Sequence, residues 1–528
     1  LTGEHIRLPA PLQLVLVLIF NLEKFKKMIN KYIITAIAGS FLLMATGCKK
    51  ALDQPVLGTY QASNYFTSVA NANAAVNAAY VPLTFTDAFS NELWVLGDVA
   101  SDDAVKGGLP GDQADIDNID KFNILTSNSA VEAVWGRYYD GISKANFVLS
   151  GLTDDNKAVP DANKATLNGQ AKFLRAYYYF ILTNSYGDIP LRLSVATADN
   201  LQAPAVPQTQ IYAQIEKDCT EAAAALPLAW TGSDLGRATK GAALALLAKT
   251  YLFEAKYALA AQTAQQVEAL GIYDLTAKFT DNFTAATKNN KEAIFSIWHT
   301  AGLSPKQGNA LNQAFAPRGT LNGYGFFQPT QSLVDNFEKS AAGVVDPRLD
   351  YTVGRAGHPY FDSPFDPGWT ATGYITKKQI QPISEIQTAT KGDGNLNVEA
   401  IRFADVLLIE AEALNESGNS TAALIPLNKI RKRARESYLY DASLGSTTVP
   451  AGLLSDITTN SQTQLRDIVR KERRSELALE FGRFFDLIRY GSAYATAALK
   501  DQPNFNFANN KFFPIPQSER STNKLLGK

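Results

Sequence analysis

Residues 171–186 read AKFLRAYYYFILTNSY and run straight into Gly187-Asp188-Ile189-Pro190. The run contains no Gly or Pro, then meets a Gly that can cap a helix and a Pro that prevents its continuation, so it reads as a helix with a defined end. Working outward, the same theme recurs. Residues 211–226 read as a helix that buries Cys219 as a small hydrophobe. Residues 241–255 place Ala243, Leu246, Leu247, Thr250 and Tyr251 on one helical face, and a short break leads into a second helix over 258–270. Residues 403–414, with Val406, Leu407, Ala411 and Leu414, are followed after Glu416-Ser-Gly-Asn-Ser420 by a helix over 421–435. Paired helices across short turns predict a mostly α fold on a tetratricopeptide-like helical repeat scaffold, although no strict repeat period is visible.

Composition narrows the function. Apolar residues make up 46% and charged residues 19% of the 528 positions, enough for a sizeable core and too little charge for a disordered polyelectrolyte. Lys and Arg number 50 against 51 Asp and Glu, so the chain lacks the basic excess that nucleic-acid binding requires. Two cysteines and three histidines leave neither a disulfide framework nor a Cys-rich zinc site, and no metal or cofactor is expected. Phosphate-loop, zinc-protease and nucleophile-elbow signatures do not occur. Asp115–Asp120 and Asp393–Asn397 lack the central Gly and terminal Glu of a calcium loop.

The N-terminal stretch carries an address. Met28 is flanked by Lys26, Lys27 and Lys31, an apolar run follows over 33–44, and Ala45-Thr46-Gly47 stands directly before Cys48. A basic segment, a short apolar segment and small residues ending on a cysteine read as a lipoprotein signal cleaved at Cys48, with residues 1–27 as upstream translation. Acyl chains on that thiol would anchor the mature chain to a leaflet.

Between about 291 and 397 the pattern changes. Residues 292–298 (EAIFSIW) read as a strand, and Gly, Pro, Asp and aromatics dominate 318–374, giving a loop-rich, partly β insertion region seated on the helices. A polar, Gly-rich segment over 97–114 reads as a second loop facing the same side. Loops on a rigid scaffold concentrate binding residues. Trp135 reads as helical core, whereas Trp94, Trp298 and Trp369 lie in or beside the loops, where an exposed ring could stack on a pyranose while amides and hydroxyls meet its polar groups. Trp94 and Trp298 are the ligand platforms expected here, with Asn309, Gln313 and Tyr324 as surrounding contacts.

The charged block Glu472, Arg473, Arg474, Glu476, Glu480, Arg483, Asp486 and Arg489 puts carboxylates at i, i+4 spacing. A glycosidase needs two carboxyls facing each other across a cleft, so these charges are expected to pair with one another and with helix ends, and no catalytic residue is assigned.

The segments resemble a known family. Phe173-Leu174-Arg175-Ala176-Tyr177 with Tyr186-Gly187-Asp188-Ile189-Pro190, Gly236-Arg237-Ala238-Thr239-Lys240, Ile401 to Leu408, Asn428-Lys429-Ile430-Arg431, Glu472 to Leu477 and Phe513-Pro514-Ile515-Pro516 together resemble the SusD/RagB lipoproteins of Bacteroidota. The resemblance implies a non-enzymatic, lipid-anchored protein facing outward on the outer membrane. It would bind an oligosaccharide nutrient and pass it to a SusC-like TonB-dependent transporter. It divides the chain into a removed segment over 1–47, an N-terminal SusD-like region over 48–230, a helix hairpin over 231–290 and a C-terminal RagB/SusD region over 291–528, in one globular body. A RagB-like peptide binder and a periplasm-facing scaffold for protein partners are the alternatives.

Overall fold

Helix boundaries fall where the sequence places capping groups. In the computed structural model, which describes residues 62–87, 89–318, 323–385 and 392–526 together with Lys24, Lys26 and Met28, the Ser68 hydroxyl accepts from the Asn71 backbone at the start of α1 (Val69–Tyr80). Asn128 does the same for Ala130 and Val131 in α2 (Ser129–Gly151). Prolines 160 and 207 precede α3 (Asp161–Tyr186) and α4 (Gln208–Ala225), where their fixed φ suits a first turn. Thr239 caps α5 (Lys240–Phe253), α6 (Tyr257–Ala269) follows a short turn, and α3 ends at Gly187 with φ of 75°.

The aromatic run of the opening stretch is the centre of the N-terminal half. Phe173, Tyr178 and Tyr179 are fully buried, each worth roughly 1.5–3 kcal/mol of burial. Their polar tips are satisfied. The Tyr178 hydroxyl donates to the Ala79 carbonyl at 2.6 Å, Tyr179 to Arg192 at 2.8 Å and Tyr186 to Val131 at 2.6 Å. Trp135 and Cys219 are core residues as expected.

Among the described residues eight strands form four antiparallel pairs: β1 (Ala104–Gly107) with β5 (Phe326–Pro329), β2 (Ile189–Pro190) with β3 (Ala205–Val206), β4 (Ala293–Ile297) with β8 (Val398–Arg402), and β6 (Val353–Arg355) with β7 (Tyr374–Thr376). The helix α7 (Phe403–Glu416) starts directly after β8, and α8 (Ser420–Arg435), α9 (Gln462–Leu477) and α10 (Arg483–Arg489) complete the principal helices. Helices α1 to α6 pack in succession, each on its neighbour. The next contact decides the architecture: α6 packs directly on α7 although residues 270–402 separate them in sequence. The loop-rich, partly β region is therefore an excursion from a continuous tetratricopeptide-like helical stack, and residues from Ala62 onward form one compact unit.

One expected loop is corrected. Residues 109–114 do lie at the surface, whereas the first part of segment 97–114 is not a surface insertion, because Asp98 to Asp103 are buried and β1 pairs with the distant β5. Its carboxylates face arginines from the other end of the chain. Asp102 receives Arg483 at 2.8 Å and Asp103 receives Arg474 at 2.7 Å. Asp115 to Asp120 belong to a short helix, Ala114–Asp120, and form no loop.

The expected pairing of the C-terminal charges is present and buried. Glu476 accepts from Arg402 at 2.7 Å, from Arg348 at 2.9 Å and from Arg433. Glu480 lies beyond the end of α9, so it does not continue the helical row of acids, yet it still receives Arg402 and Lys378. Glu292, which opens β4, accepts from Arg402 at 2.7 Å and Arg433 at 2.9 Å. The network thus ties α8 and α9 to both strands of the β4–β8 pair.

Candidate functional site

That anchoring fixes Trp298, the residue after β4. At one end the strand is held by Glu292, and in its middle the Ser296 hydroxyl donates to Glu399 at 2.5 Å. Burial pushes the Glu399 carboxyl up to about 8. At the other end His299 is a buried staple. Its backbone N–H donates to Asn397 at 3.1 Å, its Nδ1 lies 3.2 Å from the Gln307 carbonyl, and its Nε2 accepts from the Phe85 backbone at 3.4 Å. Burial lowers its pKa to about 4, so the ring is neutral and joins three segments at once.

Two cavities of about 260 and 240 Å³ meet at Trp298 and share Leu235, Gly236, Arg237, Phe295 and Ser296 as lining. The first continues past Tyr80 and Thr84, and the second past Trp230, Tyr273 and Asn289. Each wall is held in place. Gly236 has φ of 90°, and a Cβ there would lie 2.8 Å from the Trp298 indole, so only glycine lets the backbone lie this close to the ring. Trp230 donates its indole N–H to the Ala238 carbonyl at 2.8 Å. The Tyr80 hydroxyl accepts from Ala238 and donates to Gln170, which also receives Arg237 at 3.1 Å. Arg237 is held further by Asp234 at 2.7 Å. Tyr273 meets the Thr239 hydroxyl at 3.1 Å. The lining of both cavities contains no Asp, Glu, His or Cys, while Leu228, Leu235 and Ile272 at its rim are 41–49% exposed.

The expected site residues divide. Trp298 is half-buried and borders both cavities. Gln313 and Tyr324 are half-buried and adjacent, the Tyr324 N–H donating to the Gln313 carbonyl at 2.8 Å. Tyr324 stacks on Phe89 with centroids 5.9 Å apart and planes 16° apart. Two expectations are corrected. Trp94 is fully buried among Phe315, Phe326 and Phe327 and offers no face to a ligand. Asn309 is also buried, and its side chain is spent on the Leu396 carbonyl and the Leu311 N–H, holding a loop. The lipidation expectation at Cys48 lies outside the described residues, as do residues 29–47 of the signal. Sequence reasoning missed Trp230, Tyr273 and Arg237. Trp230 had a usable signal: a tryptophan in the polar turn LAWTGSDLG between two helices.

Comparison with known proteins decides the family. A model described as SusD family matches residues 291–528, and one described as starch-binding associating with outer membrane matches 58–252. The chain belongs to the SusD/RagB family. SusD-like protein P2 of Formosa agariphila is 29% identical over 94% of this chain and 98% of its own. A structure named as a laminarin binding SusD-like protein is 27% identical, with a TM-score of 0.71 over 87% of this chain and 98% of its own. A SusD superfamily protein of Bacteroides vulgatus, 24% identical, shares the fold with a TM-score of 0.72 over 88% of this chain and 99% of its own. Within this SusD/RagB chain, the arrangement at Trp298 is suited to holding a ligand by ring stacking and hydrogen bonding.

Proposed function

We propose that this SusD/RagB protein is a non-catalytic, lipid-anchored, oligosaccharide-binding protein of the outer membrane, facing outward and delivering its ligand to a SusC-like TonB-dependent transporter. The observation that carries the binding reading is the half-exposed Trp298 ring shared by two adjoining cavities, with Trp230, Tyr273 and Tyr80 along the same groove. Successive aromatic faces suit successive sugar rings, and Arg237, Asn289 and Ser233 supply polar partners. The Trp298 indole N–H makes no hydrogen bond among the described residues, which leaves a donor for a sugar hydroxyl. A lining without carboxylate, imidazole or thiol supports binding without turnover. The laminarin-binding relative and the starch-binding family description support a glycan ligand.

Calorimetry of the mature chain against laminarin, starch and other plant, microbial and host glycans tests this directly. Micromolar or weaker binding is expected to one glycan class, and turnover of that glycan by the purified protein would contradict the reading. Anchoring rests on Cys48. Cys48→Ala should move the protein from the detergent phase to the aqueous phase, and mass spectrometry showing an unmodified Cys48 would refute the anchor.

A second reading, a peptide ligand as in RagB-like relatives, is favoured by exposed Leu228, Leu235 and Ile272 at the groove rim. A mixed peptide pool in the same titration separates the two.

A further inference from the structure

A separate cavity of about 200 Å³ is lined by Lys278, Phe279, Thr280, Tyr351, Ser437, Tyr440 and Asp441. It shares no lining residue with the Trp298 groove. Its position follows from the fold. The turn after α8 brings Ser437 to Asp441 against the start of the long excursion, where Phe279 packs on Tyr351 with centroids 6.1 Å apart and planes 23° apart. The Tyr351 hydroxyl donates to Asp441 at 2.7 Å, which fixes both side chains.

The polar groups left over point to a ligand. The Ser437 hydroxyl is buried beside the Tyr351 phenol, and its remaining hydrogen-bonding capacity is unused among the described residues. Lys278 lies at the exposed mouth of the cavity, where its ammonium acts on Asp441 and Asp281 without a direct ion pair to either. Asp441 accepts from Tyr351, from the Ser443 backbone and from the Ser443 hydroxyl, leaving room for one more donor. One ammonium and one carboxylate cancel, so the cavity favours a neutral guest. Rings from Phe279, Tyr351 and Tyr440 surround hydroxyls from Thr280 and Ser437, an environment for a molecule with apolar C–H faces and a hydroxyl rim. The volume is below the roughly 300 Å³ at which drug-sized pockets begin, which limits the guest to about one sugar ring.

We propose that this cavity is a second binding site, for a single neutral hexose or the terminal hexose of a glycan. It acts independently of the Trp298 groove, so a long neutral glycan could engage both sites and gain avidity without any change in either.

The test is saturation-transfer NMR of the mature chain with free glucose, galactose and mannose, in a Trp298→Ala background so that the groove contributes less. Binding by at least one hexose is expected. Asp441→Asn, which keeps the volume and an acceptor for Tyr351, and Tyr440→Ala, at a side chain 48% exposed, should each weaken it about fivefold or more. Binding at the groove of an oligosaccharide too short to reach both sites, measured with Trp298 intact, should not change in the Tyr440→Ala variant. Absence of transfer from all three sugars, or transfer unaffected by both variants, overturns the second site. Hexose binding present in the unaltered chain and abolished by Trp298→Ala alone also overturns it, since that would place the sugar in the groove.

Discussion

Gly236 lies against the indole of Trp298 so closely that a Cβ on it would sit 2.8 Å from the ring. The glycine's left-handed backbone and the tryptophan's position are therefore one arrangement: the turn before α5 can take this path only because residue 236 has no side chain, and the ring is backed by it. Gly236→Ala should strain the backbone and displace the indole together, destabilising by about 1–3 kcal/mol. Glycan affinity should fall more than the modest change in Tm suggests. Denaturant titration with parallel calorimetry checks both, and unchanged affinity would show that the ring is not held by the turn.

The two tryptophans once expected to act alike should separate. Trp298→Ala removes a half-exposed ring from the groove and is expected to weaken oligosaccharide binding by about 0.5–1.5 kcal/mol, several-fold, with the helical circular dichroism intact. Trp94→Ala instead opens a cavity in the core and should cost about 3–5 kcal/mol of stability. Folded Trp94→Ala protein should retain its affinity. Loss of binding in the Trp94 variant at a temperature where it remains folded would return Trp94 to the site.

These contrasts show what sequence could and could not supply. The helices were legible because their signals are local: apolar spacing, the break over Glu416 to Ser420, and Gly187 with Pro190 at an end. Trp298 was legible because it closes a strand at the edge of a polar region. Trp94 was misread because its neighbourhood, rich in Asp and Gly, looks like solvent-facing loop. Its burial depends on Phe315 and Phe327, more than two hundred residues away. Asp98 to Asp103 were misread for the same reason, since their partners, the Phe481 and Arg483 backbone N–H groups for Asp98 and the Arg483 and Arg474 side chains for Asp102 and Asp103, lie near the C-terminus. Trp230 and Arg237 lie in the α4–α5 connection and Tyr273 follows α6, and the end of β4 borders the same groove as all three.

Glu476 should be indispensable for folding and irrelevant to any turnover. It meets three arginines in a site from which water is excluded, and they hold its carboxyl far below the usual carboxylate range against the opposing effect of burial. Glu476→Ala leaves those cations without their shared anion and should cost about 3–5 kcal/mol. Equilibrium unfolding measures this, and a variant within 1 kcal/mol or so of wild type would mean that the neighbouring Glu292 and Glu480 suffice.

His299 supplies a pH dependence whose sign can be fixed in advance. Burial, first of all, depresses its folded pKa to about 4 from an ordinary value of 6.5, with the Gln307 carbonyl opposing. The folded state therefore favours the neutral ring, and the unfolded chain takes up the proton first. The stabilising contribution is complete above pH 6.5 or so and is lost as pH falls towards 4, by roughly 3 kcal/mol in all. Other buried groups titrate in the same window with the opposite sign, Glu399 and Glu92 each being raised to about 8 by burial. The clean measurement is thus the difference between wild type and His299→Gln across pH 4 to 8. That difference should favour wild type most at neutral pH and shrink in acid. Because the same ring joins Phe85 and Gln307 to the end of β4, glycan affinity in wild type should fall over the same acidic interval, whereas the variant should show a flatter profile. A stability difference that stays constant with pH would mean that the imidazole is solvated and does not hold the groove's edge.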